Sequence, residues 1–288
     1  MIVLSLYCYI THDRPQNVLL VGAGTSSMDI AREIGPVANN IYQVSRGGAF
    51  DFSPILLPKN ATRIGAIDSF EHHFTYPTLD SQALDADKPI PGTIVLKSGQ
   101  RLSDIHRVIL CTGYHFCLPF LKDYHEDDTA IEDASDTVLV TDGTQLHNLH
   151  EDIFYIPDST LAFIGVPFYT ATFTLFEFQA MALAAVWTGR ADLPARAIMQ
   201  QQYTERAKVK GLGRNFHSLK GVEDVYVHDL MVWLNRDAQK YGAKVLQGHS
   251  EEWHAARAAW LAKNKLRLEE LEMERNSVVQ TSLQKQAA

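Results

Sequence analysis

The stretch Val18-Leu-Leu-Val-Gly-Ala-Gly-Thr-Ser-Ser-Met-Asp-Ile-Ala-Arg-Glu-Ile34 constrains the fold more than any other part of the chain. Four apolar residues, Val18 to Val21, read as a strand, and Met28, Ile30, Ala31 and Ile34 recur at helical spacing. Between them stands Gly22-x-Gly24-x-x-Ser27, the pattern of a tight strand-to-helix turn. Gly22 permits backbone angles closed to other residues, and Gly24 lets a ligand approach the main chain without meeting a Cβ. The helix N-terminus that follows supplies unpaired N–H donors and a partial positive charge. The pattern therefore predicts a site for the pyrophosphate of a dinucleotide at Gly22, Gly24, Thr25, Ser26 and Ser27. Ser26 or Ser27 is expected to cap the helix or to donate to a phosphate oxygen. The plainer reading is a strand–helix turn in which the glycines only pack.

The next strand bears on which dinucleotide. Ile41-Tyr-Gln-Val-Ser45 alternates as a short strand, and it lies about twenty residues past Gly24, where an NAD-selective unit carries an Asp or Glu for the ribose hydroxyls. Here Ser45-Arg46 stands instead. A carboxylate would repel a 2′-phosphate, whereas a guanidinium pairs with one, so Ser45 and Arg46 predict NADP. The alternative for Arg46 is a solvated cation at a strand end.

Composition sets the remaining limits. The chain has 288 residues, enough for one large domain or two ordinary ones, and its 46% hydrophobic and 21% charged content suits a folded globular protein. A formal charge of −8 leaves no basic surplus for nucleic-acid phosphates. Cys8, Cys111 and Cys117 form neither a CxxC pair nor a metal-ligand ladder, and predict reduced, packed thiols in a cytoplasmic protein. The apolar first ten residues lack a basic n-region and a small-residue cleavage site. Leu161 to Trp187 is long enough to span a bilayer, but Gly165, Pro167 and Glu177 interrupt it. A buried strand, a turn and a helix over about 173–187 ended by Gly189 are expected there instead.

Elsewhere the patterns are local. Thr93 to Leu102 reads as a hairpin around Ser98-Gly99, and Val138 to Thr144 as another around Asp142-Gly143. Val108 to Cys111 is an apolar run expected in a central strand, and it stops at Thr112-Gly113. Ligands of doubly wound sheets sit beyond the carboxyl ends of such strands, so Thr112, Gly113 and Tyr114 join the candidate site. Residues 59–93 show no clean period, and His72-His73 with Asp80, Asp85 and Asp87 lack metal-ligand spacing. The same holds for His147, His150 and Asp152. No metal site is expected. Pro194 opens a helical remainder broken at Gly211-Leu-Gly213, with a helix over 222–241 and a charged helix from Ser250 carrying Trp253, Ala256, Trp260 and Leu266 on one stripe.

Together these motifs resemble the flavin-containing monooxygenases, particularly the fungal members. The resemblance rests on residues 21–31, Cys111-Thr-Gly-Tyr114, Leu161-Ala-Phe-Ile-Gly165 with Leu175-Phe-Glu-x-Gln-Ala180, and Gly-Leu-Gly-Arg-Asn-Phe-His217, and it covers roughly 17–241. It implies NADPH and FAD as cofactors and insertion of one oxygen atom from O2 into a soft nitrogen, sulfur or carbonyl carbon of a small-molecule substrate. It also implies that Thr112 and Gly113 lie where the two cofactors meet. The family's first glycine unit for FAD and its Phe-x-Gly-x-x-x-His segment are not matched in the 16 residues before Asn17. The chain thus resembles the C-terminal part of such an enzyme.

The expected architecture is α/β: a tail over 1–16, a Rossmann-like NADP-binding domain with a parallel sheet and a β-hairpin or meander over 17–116, a returning segment of the FAD domain over 117–190, and a helical region over 191–288. No catalytic residue is assigned. Homo-oligomerisation through the helical C-terminus is left open, and a non-catalytic NADP-binding module is the alternative function.

Overall fold

The computed structural model describes residues 16–72 and 88–287, with side chains over 16–71 and 88–274. His73, Asp80, Asp85, Asp87 and Cys8 lie outside the described residues. The chain divides into two compact units, residues 1–113 with 260–288 and residues 114–259.

The first unit is built on a four-stranded parallel sheet in the order β3-β2-β1-β7. Its strands are β1 (Asn17–Val21), β2 (Asn40–Val44), β3 (Ala61–Ile64) and β7 (Arg107–Leu110). Helix α1 (Thr25–Ile34) joins β1 to β2. The step from β3 to β7 is made by an antiparallel meander of β4 (Ile67–His72), β5 (Gly92–Leu96) and β6 (Arg101–Leu102). Burial on both faces explains why Val18 to Val21 of β1 are all apolar. Val18 and Leu20 pack with Ala31 and Ile34 of α1, while Leu19 packs on the other face with Ile94, Leu96 and Leu102 of the meander. This is the Rossmann-like arrangement expected, with the hairpin at 92–102 formed. Strands β3 and β4 escaped the sequence reading because β4 alternates imperfectly: its pairing with β5 shifts register between Ile67 and Ser69.

The second unit contains the short hairpin of β8 (Leu149–His150) and β9 (Phe154–Tyr155), then α2 (Thr172–Trp187), α3 (Arg196–Lys210), α4 (Glu223–Tyr241) and the start of α5 (Glu251–Ala287). The boundary expected at 190/191 is crossed by a single core, in which Ile153, Phe154, Leu175 and Phe178 pack with Leu219, Val227, Leu230 and Leu234. The returning segment and the following helices are one body because neither can bury its apolar face alone. Two local expectations also change. Residues 138–144 form no hairpin: Leu139 N–H donates to Tyr124, and Asp142 turns the chain by accepting the Thr144 N–H at 2.9 Å. Residues 161–165 make only an isolated bridge from Ala162 to Phe154 rather than a strand, and Ile164 is exposed.

The stripe expected on α5 is not a buried seam. Trp253 is half-buried, stacked on His249 at 3.5 Å, but Ala256, Trp260 and Leu266 are exposed. Among the described residues no helix is long and apolar enough to cross a membrane.

Candidate functional site

The sheet order reverses between β1 and β7, and the chain segments leaving their carboxyl ends flank that point. One is the glycine turn at 22–27, the other Thr112-Gly113. They are held together at close range: the Gly22 N–H donates to Val44 O at 3.1 Å and the Cys111 N–H to Val21 O at 2.8 Å. Gly22 has φ +118°, and a Cβ there would stand 2.3 Å from the Cys111 carbonyl oxygen. The first glycine is thus demanded by the sheet. The second is not, since the nearest atom to a Cβ on Gly24 would be Phe50 O at 3.9 Å. The space over Gly24 is open.

Gly24 is the N-cap of α1, and no side chain caps the helix. The first turn carries no acidic residue. Thr25 and Ser26 are exposed at this end, so their N–H groups and hydroxyls face outward. Ser27 differs from expectation. It is fully buried and its Oγ accepts from Gln43 Nε2 at 2.7 Å, so its side chain fastens α1 to β2 instead of meeting a phosphate. A hydroxyl one residue further along the helix than Ser26 turns inward, which the motif alone does not reveal.

At the end of β2, the Ser45 hydroxyl donates to the Asp51 carboxylate and accepts the Gly47 N–H at 2.9 Å. Arg46 is exposed, with no hydrogen bond or ion pair among the described residues. Two residues that the sequence did not single out shape this edge. Asp51 also accepts the Gly48 N–H at 3.2 Å. Arg63 on β3 donates through Nε to Gln43 Oε1 and through Nη2 to Phe52 O, each at 2.8 Å. Partial burial lowers the Arg63 pKa, and the Asp51 charge opposes that shift. Since the Phe52 N–H donates to Ala23 O at 2.9 Å, loop 45–52 is tied to both the glycine turn and β3. Only the long-range partners Gln43 and Arg63 could have disclosed this, and their alternation along strands looks ordinary.

Thr112 and Gly113 close the first stretch of the first unit, Gly113 with φ +87°, and Tyr114 opens the second unit with 86% of its surface exposed. Cys111 is half-buried and burial pushes its thiol up to about 11, so it is a packing thiol rather than a nucleophile.

The second unit holds a buried polar cluster. Asp152 lies between His217 Nδ1 at 2.8 Å and Arg206 Nη2 at 2.5 Å. Burial would raise its carboxyl pKa, but the two partners outweigh burial and hold it well below the ordinary value. Asn148, Glu151 and Asp152 all have φ between +53° and +55°, a strained bend that aims Asp152 inward. Nearby, Gln179 of α2 accepts the Gly165 N–H at 2.9 Å and donates to Tyr226 Oη at 3.0 Å. Glu223 accepts the Ala171 N–H at 2.8 Å just before α2 begins and pairs with Arg257 at 2.6 Å. His147 and His150 belong to this packing and not to a metal set; among the described residues no group of three or more His, Cys, Asp or Glu is placed to hold a metal.

A glycine turn, a bare helix end and a cation at the edge of a parallel sheet give the first unit a Rossmann-type arrangement. The relatives give the family. Flavin-containing monooxygenase ustF2 of Aspergillus flavus is 44% identical over 246 residues, covering 85% of this chain and 49% of its own. Flavin-containing monooxygenase ustF1 of the same fungus is 37% identical over 243 residues, 84% of this chain and 43% of its own. The solved S-allyl-L-cysteine S-oxygenase from Allium sativum shares the fold, with a TM-score of 0.53 at 19% identity over 88% of this chain and 50% of its own. No family model matches the chain. The chain belongs to the flavin-containing monooxygenase family and spans about half the length of the curated relatives it matches. The family's cofactors are FAD and NADP.

Proposed function

We propose that this chain carries the NADP(H)-binding half of a flavin-dependent monooxygenase reaction, in which one oxygen atom of O2 is delivered to a soft nitrogen, sulfur or carbonyl carbon of a small molecule. The observation that carries the reading is the uncapped N-terminus of α1 beneath the open space at Gly24. That space and those free N–H groups fit a pyrophosphate, whose negative charge the helix end favours. Gly24, Thr25 and Ser26 would hold it, and Arg46 would meet the 2′-phosphate, the Ser45 hydroxyl being engaged by Asp51 and Gly47. Thr112 and Gly113 would border the nicotinamide end. When bound, NADPH supplies hydride and FAD supplies the oxygen chemistry.

The FAD contribution of this chain is proposed at α2. No side chain caps that helix, its first turn is free of acidic residues, and Phe173 stands there 88% exposed. The chain's own part is positioning: the Gln179 amide fixes Gly165, and Glu223 fixes Ala171, on either side of the loop that leads into the helix.

Calorimetric titration of the purified chain with NADP+ tests the reading. Micromolar binding that a Gly24→Val substitution abolishes is the expected result, and failure of both NADP+ and NAD+ to bind overturns it. Flavin content separates the two functional readings. Retained FAD, seen as absorbance near about 450 nm, supports the oxidoreductase; nucleotide binding by a colourless protein that no added FAD turns yellow supports the non-catalytic module.

A further inference from the structure

The preference for NADP argued above assumes that no carboxylate stands at the end of β2. The fold brings one there. Asp51 is six residues past Ser45 in sequence, yet its Oδ2 is bonded to the Ser45 hydroxyl and to the Gly48 N–H, closing a compact loop over the strand end. In this architecture the ribose of the adenosine lies beyond that strand end, where an Asp or Glu ordinarily takes the ribose hydroxyls. Asp51 is therefore a carboxylate at the ribose-reading position, supplied by the loop and not by the strand.

Its charge is only partly offset. Arg63 interacts with it electrostatically, but the Arg63 donors are engaged by Gln43 and Phe52 O, and no salt bridge joins Arg63 to Asp51 among the described residues. Arg46, on the same loop, is exposed and unpaired among the described residues. A 2′-phosphate at this edge would gain from Arg46 and be opposed by Asp51; a 2′-hydroxyl would lose little from Arg46 and could donate to Asp51.

We propose that Asp51 is a specificity-determining residue that tempers the preference set by Arg46, so that the site accepts NAD(H) alongside NADP(H). This rests on the reading of the first unit as a dinucleotide site. Substituting Asp51→Asn keeps an oxygen acceptor for Ser45 and Gly48 while removing the charge.

The test is the ratio of NAD+ to NADP+ dissociation constants, measured by calorimetry on the full chain. The wild type should bind both, and D51N should shift the ratio about tenfold toward NADP+, as removal of one like charge at a partly exposed site predicts. Arg46→Ala should shift it the opposite way. A loop held together by Asp51 for purely structural reasons would instead weaken both nucleotides in parallel when Asp51 is changed, leaving the ratio within twofold, and that result overturns the proposal while leaving the site itself intact. Asp51→Ser, which retains a short polar acceptor, gives the same comparison should D51N fail to fold. If the wild type binds neither nucleotide, the dinucleotide reading falls first and this proposal with it.

Discussion

Gly22 and the carbonyl of Cys111 stand closer than any side chain could tolerate, with 2.3 Å between that oxygen and the place a Cβ would occupy. The contact follows from the parallel pairing of β1 with β7, which draws the two strand ends together just where the chain must turn into α1. Gly24, two residues later, meets no such neighbour. The two glycines of one motif therefore differ: the sheet demands the first and leaves the second open. Gly22→Ala is expected to cost about 3 kcal/mol or more in urea unfolding, from the clash and the φ of +118° combined. Gly24→Ala should cost only about 1 kcal/mol, the effect of Ala in place of Gly at an N-cap, and weaken NADP+ binding about tenfold or more. Equal effects of both variants on stability would refute this division.

Ser27 makes a second separation. Its Oγ accepts from Gln43 Nε2, and both side chains are fully buried. Ser27→Ala leaves that amide donor without its partner, a loss of about 1–3 kcal/mol. Nucleotide affinity, measured by calorimetry at a temperature where the variant is folded, should stay within about twofold. A Ser27→Ala protein of normal stability but poor NADP+ affinity would restore Ser27 as a phosphate ligand.

What could be read from the sequence was local. The unit from Val18 to Ile34 announces strand, turn and helix because period and glycine placement act over a few residues, and α1 and α4 end within a residue or two of where the pattern put them. Asp51, Arg63 and Gln43 were not legible, since their meaning comes from pairing β2 with β3 and folding loop 45–52 back over the strand end. The expected hairpin at 138–144 failed for a related reason. An Asp-Gly pair signals a turn whether or not the flanking residues pair with each other, and here Leu139 bonds to Tyr124 instead. The inward turn of Ser27 likewise depends on Gln43, sixteen residues away.

Two buried histidines predict how stability responds to acid. Burial pushes His147 and His150 down to about 4, and both are almost fully enclosed. Their folded pKa values lie below the ordinary value near 6.5, so the unfolded chain takes up protons first as pH falls. The stability each contributes is complete above about pH 6.5 and is lost progressively toward pH 4. Between pH 7 and pH 5 the loss is about 2 kcal/mol for each histidine. Urea unfolding followed at the two pH values should show a drop of about 4 kcal/mol, roughly halved by His150→Phe if that ring keeps its packing against Trp233. A drop below about 1 kcal/mol in the wild type would show that neither ring is held neutral by burial.

Asp152 extends the same argument to lower pH and to mutation. Its two partners, His217 and Arg206, hold its carboxyl below the ordinary value despite complete burial. A depressed carboxylate gives stability that is present above its unfolded pKa, near about 3.9, and disappears only as pH falls below that. Acid unfolding should therefore proceed in two ranges, histidine protonation first and Asp152 after it. Removing the carboxylate at neutral pH is harsher, because His217 and Arg206 are left facing each other without their acceptor in a buried site. Asp152→Ala is expected to cost about 3–5 kcal/mol, the range for breaking a buried pair from one side. Arg206→Met should cost less, since its side chain is a quarter exposed and Asp152 keeps His217. Calorimetric melting of both variants checks the order, and an Arg206→Met protein less stable than Asp152→Ala would mean that the guanidinium, which also donates to Phe216 O and lies 4.5 Å from the centre of the Phe216 ring, holds this unit together through packing more than through Asp152.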